Sequence, residues 1–263
     1  MGEGGENNKD WYAGAFRLFE DHDISWNFWT WKKMDTDNSP CSVKMPANWQ
    51  LLVDYLERGV RPDAETAQAI LWEYLDNLSF DHCVYHADVI HSLLRKPPVR
   101  IPAIFYGYKG EGESFGVAKR TDRNIGFRIH DGTDIRFIEE GSRMVANFQH
   151  GRGEHWQADE RMCIQLAAGD WLAYEVSVAA SSETTFYGID LHLFALNESG
   201  RITVSIDGVQ VGFTEVCGSD WTIAALEETF PLASGLHRIV LKAEGSPIRV
   251  EWLEIKPQVH AVS

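Results

Sequence analysis

Apolar positions change their spacing about a third of the way along the chain. Up to residue 95 they recur three and four apart, the spacing of one helix face. Trp11 to His22 carries Trp11, Tyr12, Ala15, Phe16, Leu18 and Phe19 in that rhythm. Trp49 to Arg58 lines Trp49, Leu52, Val53 and Leu56 on one side. Pro62 to Leu78 predicts a third helix, with Pro62 in a first turn where its missing N–H costs little. Its stripe is Ala64, Ala67, Ile70, Leu71, Tyr74 and Leu75. Tyr85 to Leu94 predicts a fourth helix, and Ile24 to Trp29 a short strand. Lys96-Pro97-Pro98-Val99-Arg100 then breaks the pattern and reads as a stiff linker.

Beyond residue 100 the period falls to two. Trp171–Val178, Gly188–Phe194, Arg201–Ile206, Leu236–Leu241 and Ile248–Ile255 alternate between turns rich in Gly, Asp, Asn and Ser. Asp207-Gly208 between two such runs is a hairpin signal. Residues 101–257 therefore predict an antiparallel β-sandwich. The chain is expected to be multidomain, with region 1–95, linker 96–100 and sandwich 101–257.

Composition narrows the function. The 263 residues are 44% hydrophobic, so a packed core is within reach. A formal net charge of -15 argues against a nucleic-acid partner, whose phosphates need Lys and Arg. No apolar run approaches the roughly 18 residues of a membrane span, so no membrane partner is expected. No secretory leader is visible. Four cysteines, at 41, 83, 163 and 217, lack metal-ligand spacing and read as free thiols, so no metal centre is expected. Ten Trp exceed what packing usually demands. Most belong in a core, but exposed Trp and Tyr also give flat π surfaces on which the C–H faces of pyranose rings stack.

The first candidate chemistry is at the N-terminus. Gly2-Glu3-Gly4-Gly5-Glu6-Asn7 sets a carboxylate in a Gly-rich turn. Alone, Glu3 fits either a solvated tail or a catalytic carboxylate. The helix carrying Trp11, the segment Trp26-Asn27-Phe28-Trp29-Thr30-Trp31-Lys32 and the helix start Pro46-Ala47-Asn48-Trp49 follow. Together these resemble the end of the barrel in glycoside hydrolase family 5, the retaining β-glycanases. The resemblance covers the seventh strand's tip, the eighth strand and the closing helices, and so implies a truncated C-terminal portion of a (β/α)8 TIM barrel. It implies Glu3 as nucleophile, with Glu6 the alternative. It also implies Trp29 as the platform beneath the sugar, with Trp31 and Lys32 on the same rim. Lys32 would bond a sugar hydroxyl or help keep Glu3 ionised. Retaining hydrolysis needs two carboxylates about 5–5.5 Å apart. The family's acid/base Glu follows an Asn at the end of the fourth strand, and this chain has no counterpart. The chain alone is therefore expected to lack hydrolase activity.

The second region carries an ordered series of short motifs. Ile101-Pro102-Ala103, Gly116-Val117-Ala118, Asn124-Ile125-Gly126, Asp131-Gly132-Thr133 and Gly169-Asp170-Trp171 come first. Ile206-Asp207-Gly208, Gly218-Ser219-Asp220-Trp221, Leu232-Ala233-Ser234-Gly235 and Val250-Glu251-Trp252 follow. In order and spacing they resemble carbohydrate-binding module family 6. The resemblance implies a jelly-roll-like sandwich with a glycan cleft, and Trp221 on the aromatic-bearing loop; packing against the sandwich edge is the other reading of Trp221. The chain departs from the family at Lys119 (for a Tyr), near Ala224 (for a second Trp) and at Arg249 (for an Asn). Trp171, Tyr174 and Trp252 read as core. No cofactor is expected beyond the structural calcium of the family, whose early Glu ligands are replaced around Ile104 and Phe105. The acidic run Glu111 to Glu113 is either a cation site or a solvated surface.

The chain thus reads as the C-terminal portion of a retaining β-glycanase of the endo-β-1,4-glucanase or mannanase class, with an appended carbohydrate-binding module. Its expected partner is a polysaccharide (β-glucan, mannan or xylan), and the full-length parent is expected to be extracellular or periplasmic. The alternative is a non-catalytic glycan-binding protein with a structural barrel remnant. A third reading has the module contacting its own catalytic domain.

Overall fold

The computed structural model describes residues 1–258 apart from 124, 140, 142, 183, 198 and 219. Asn124 and Ser219 of the motifs above lie outside the described residues.

Helix α1 (Lys9–Asp21) begins where Asn8 accepts a hydrogen bond from Trp11 N at 2.9 Å. Its buried side holds Tyr12, Ala13 and Phe16; Phe16 packs edge-on against Trp26, and Tyr12 edge-on against Phe28. The predicted strand 24–29 shrinks to a single parallel bridge between Gly4 and Phe28. Gly4 N donates to Asn27 O at 2.8 Å and Trp29 N to Gly4 O at 2.6 Å. A ladder needs a longer extended neighbour than this Gly-rich turn supplies.

Strands β1 (Lys32–Met34) and β2 (Cys41–Val43) pair in parallel, and β2 pairs antiparallel with a strand introduced below. Helices α2 (Trp49–Arg58) and α3 (Ala64–Asn77) follow. Asp63 caps α3 by accepting from Thr66 N at 2.8 Å, so Pro62 precedes the helix rather than sitting in its first turn. The predicted stripes find little to cover them: α2 buries no residue and α3 only Ile70, while Leu56 is 84% and Leu75 53% exposed. Tyr85 lies in β3 (Val84–Tyr85), the partner of β2, and α4 (Ala87–Leu94) starts after it. One parallel bridge and a three-stranded sheet do not make a barrel wall, so residues 1–95 do not show the expected (β/α)8 portion.

The sandwich begins two residues earlier than expected. β4 (Val99–Pro102) pairs Val99 with Ile255 and Arg100 with Glu254, so the end of the presumed linker is a strand of the sheet. The remaining strands are β5 (Phe115–Gly116), β6 (Asp134–Phe137), β7 (Met162–Leu166), β8 (Trp171–Val178), β9 (Phe186–Ala195), β10 (Ser199–Ile206), β11 (Val209–Cys217), β12 (Thr222–Ala225), β13 (Phe230–Pro231), β14 (Gly235–Glu244) and β15 (Ile248–Gln258). One sheet runs β11-β10-β14-β8-β5. The other runs β12-β9-β15-β7-β6, with β13 beside β9 and β4 beside β15. Alternate residues such as Leu172, Tyr174, Ile189, Leu191, Val204, Leu241 and Val250 fill the space between the sheets. Asp207 and Gly208 both take positive φ, 50° and 83°, which a two-residue type I′ hairpin between β10 and β11 requires.

The two regions are packed together. Arg95 Nε donates to Ala13 O in α1 at 2.8 Å, and its Nη2 donates to Phe105 O at the base of the sandwich at 2.7 Å. Asn7 and Asn8 donate through their amides to Phe148 O (2.7 Å) and Glu154 O (2.9 Å). Asp21 accepts from Tyr108 N at 2.7 Å. Gly14 lies so close to the Phe105 ring that a Cβ there would collide with it.

Candidate functional site

The N-terminal candidates lie in the Gly-rich turn and in the segment that follows the Gly4–Phe28 bridge. Glu3 is exposed in the turn before the Gly4–Phe28 bridge. Gly5, with φ of +141°, lies against the Trp29 carbonyl, and any Cβ there would meet that oxygen. The glycines are therefore what let this turn approach Trp29. Trp29 and Trp31 are half-exposed, and Trp31 stacks on Phe80 with centroids 6.1 Å apart and planes at 25°. Lys32 Nζ donates to Leu78 O at 2.8 Å and lies 5.4 Å from the Trp31 ring centre. The ammonium expected beside Glu3 is thus engaged with the segment after α3. Glu6, the alternative nucleophile, pairs with Lys33 at 3.1 Å.

The second candidate surface is the outer face of the seven-stranded sheet. Trp221, just before β12, leans on His192 of β9 with centroids 5.0 Å apart, and on Phe194 at 5.6 Å. His192 stacks in turn on Trp252 of β15 at 5.1 Å and 23°. The Arg100 guanidinium of β4 lies 4.1 Å from the centre of the Trp252 ring. Trp252 therefore lies outside the sandwich core, although it is 8% exposed. A bulge between Val250 and Trp252 causes this: Val250 faces Leu193 and Trp252 faces His192, which leaves Glu251 as the extra residue. An uninterrupted strand would have put Trp252 on Val250's inward side. Trp171 also departs from the core reading. It lies on the outer face of the five-stranded sheet beneath Arg238, whose guanidinium is 5.5 Å from the ring. Tyr174 is fully buried, and its hydroxyl donates to Ala103 O at 2.8 Å.

Charge beneath the aromatic row is closely paired. Arg161 grips Glu251 with two hydrogen bonds of 2.6 Å, and His192 Nδ1 donates to the same carboxylate. Burial alone would raise the Glu251 carboxyl, but the bonds from His192 and Arg161 outweigh it and hold it below its ordinary value. Arg249 donates to Gln165 Oε1 at 3.2 Å and lies over Phe194 at 5.6 Å, on the same face as Trp221. Lys119 is exposed, and Ala224 packs against the core.

The implied calcium finds no match in these residues. Ile104 and Phe105 are buried in the hydrophobic core, and Glu111 pairs with Arg120 at 2.6 Å. Among the described residues no group of three or more His, Cys, Asp or Glu is placed to hold a metal. No helix among them is long and apolar enough to cross a membrane.

The sequence pointed to Trp221 but missed its neighbours. His192 and Phe194 alternate with Leu191 and Leu193, so their outward direction was legible; their meeting with Trp221 depends on strand order. No sequence signal marked the bulge.

No family model matches the chain, and no curated protein matches it. Solved structures do. A β-1,3-glucan-binding family 6 module from Bacillus halodurans is 17% identical over 61% of this chain and 97% of its own, with a TM-score of 0.37. A family 6 module from Clostridium stercorarium, in complex with cellobiose, is 14% identical over 62% and 96%, with a TM-score of 0.36. A family 36 module in complex with calcium and xylotriose is 21% identical over 35% and 79%, with a TM-score of 0.30. At TM-scores below 0.5 these likenesses assign neither family nor ligand.

Proposed function

We propose that this chain binds a polysaccharide of the β-glucan, mannan or xylan class through the outer face of the seven-stranded sheet, at Trp221. The observation that carries the reading is the aromatic row in which Trp221 rests on His192 and Phe194, backed by Trp252. A flat ring held on a rigid sheet offers a pyranose a preorganised apolar surface, and preorganisation lowers the entropy lost on binding. Arg249 and Gln165 on the same face bond to each other and brace the sheet beside Phe194. Such binding needs no catalytic residue and no metal.

A catalytic role for Glu3 is a separate proposal and rests on the family 5 resemblance. The exposed Glu3, the half-exposed Trp29 whose N–H bonds the neighbouring Gly4 carbonyl, and the helix-spanned parallel bridge support it. It requires a second carboxylate as proton donor, so hydrolysis is proposed only for a barrel that other strands complete. An extracellular or periplasmic setting accords with a polysaccharide partner.

Affinity electrophoresis of the whole chain in gels containing β-1,3-glucan, β-1,4-glucan, mannan or xylan tests the binding reading. Retardation in at least one gel, lost in Trp221→Ala, supports it. Equal mobility in every gel overturns it.

A further inference from the structure

We infer that His192 is a positioning residue for glycan binding, the one that fixes the ring of Trp221. The inference rests on the binding reading above and goes beyond it, because His192 acts through the Trp221 ring. Trp221, His192, Trp252 and Arg100 form a stack that crosses the sheet from the β12 side to β4. Its spacings are 5.0 Å, 5.1 Å and 4.1 Å.

The backbone sets this order. His192 is the cross-strand partner of both Ile223 and Trp252, and Trp252 is the partner of Pro102. Trp221 precedes β12, so it has no ladder bond of its own to hold its ring in place. Its ring contacts those of His192 and Phe194, at 38° and 45°.

His192 can serve as a fixed support because its own freedom is removed from two sides. Trp252 lies nearly parallel to it, and Nδ1 is tied to Glu251. Glu251 is locked by the two-pronged Arg161 contact and is 7% exposed. An ionised carboxylate accepts only, so this bond fixes the Nδ1–H tautomer. The bulge that inserts Glu251 thus does two things: it turns Trp252 outward and it places the carboxylate that orients the imidazole. Aromatic contacts of this kind are modest singly, but a ring already held in place loses less entropy when a sugar lands on it.

The test uses the whole chain, with laminarihexaose, cellohexaose, mannohexaose and xylohexaose as probes in calorimetric titrations. The variants are Trp221→Ala, His192→Ala and His192→Phe, and the indole N–H resonance of Trp221 is followed by NMR. His192→Ala is expected to weaken binding at least tenfold and to shift that resonance. His192→Phe, which restores a ring without the Glu251 bond, is expected to recover most of the affinity. Wild-type affinity in His192→Ala, with Trp221→Ala still defective, would overturn the inference and leave the binding reading standing. Equal loss in His192→Phe and His192→Ala would also overturn it, by showing that a ring at this position is not what holds Trp221. Failure of the unaltered protein to bind any probe would overturn the reading and the inference together. Thermal melting identifies a variant that has unfolded, and His192→Phe, which fills the pocket, then decides alone.

Discussion

Replacing Arg95 by Met tests whether the helical region and the sandwich form one structural unit. Arg95 is 3% exposed and donates to Ala13 O in α1 and to Phe105 O in the sandwich. Hydrogen bonds from a charged donor contribute about 1.5–3 kcal/mol each. Against them stands desolvation, which pulls the guanidinium below its ordinary value to about 10. Its Nη1 has no hydrogen-bond partner, which adds to the cost. Met keeps the volume, removes the buried charge and takes the guanidinium bonds away from the Ala13 and Phe105 carbonyls. The net expectation is a loss of about 1–3 kcal/mol. For a chain of this size that lowers Tm by roughly 3–10 °C. Differential scanning calorimetry reads it, and the transition should broaden or split as the two regions uncouple. An unchanged Tm, within about 1 °C, with a single transition would refute the claim that Arg95 joins them.

Other perturbations follow from the same contacts. Trp221→Ala should weaken glycan binding at least about tenfold, equivalent to about 1.4 kcal/mol, with an unchanged circular-dichroism spectrum; undiminished retardation on an affinity gel would remove Trp221 from the site. Gly14→Ala drives a Cβ into the Phe105 ring at the junction and should cost about 1–3 kcal/mol; urea unfolding measures it. Gly5→Ala needs a positive φ and meets the Trp29 carbonyl; it should lose at least about 1 kcal/mol and alter Trp29 fluorescence. Burial alone would raise the Glu160 carboxyl, but bonds from Gln157 N, Asn147 and His150 hold it down to about 2. Its stability contribution is therefore complete above the unfolded value of roughly 4.3 and is lost as pH falls toward 2. Glu160→Gln should flatten that part of the acid-unfolding curve.

The helices and the long strands were legible because each repeats its period over several turns or pairs. The Asp207-Gly208 hairpin was legible because two adjacent positive φ values demand such residues. The three-residue strands β1 and β2 were not, since so short a run carries no period. The linker reading failed at Val99 and Arg100 because two prolines suggested a spacer, whereas the following residues alternate and pair with β15. The exposed stripes of α2 and α3 show the limit of periodicity: it marks an apolar face without naming what covers it. Trp221 was visible through its motif. The bulge that turns Trp252 outward was not, because inserting one residue reverses the parity that a sequence reading must assume.

The most direct measurement is a titration of 15N-labelled protein with the four hexasaccharides, following the ten tryptophan indole resonances. Binding at the sheet face requires the Trp221 resonance, assigned through Trp221→Phe, to move with saturable dependence on at least one sugar. A titration in which Trp221 stays still while Trp29 or Trp31 moves would contradict the assignment and place the glycan on the N-terminal surface. Stationary resonances throughout would contradict glycan binding by this chain.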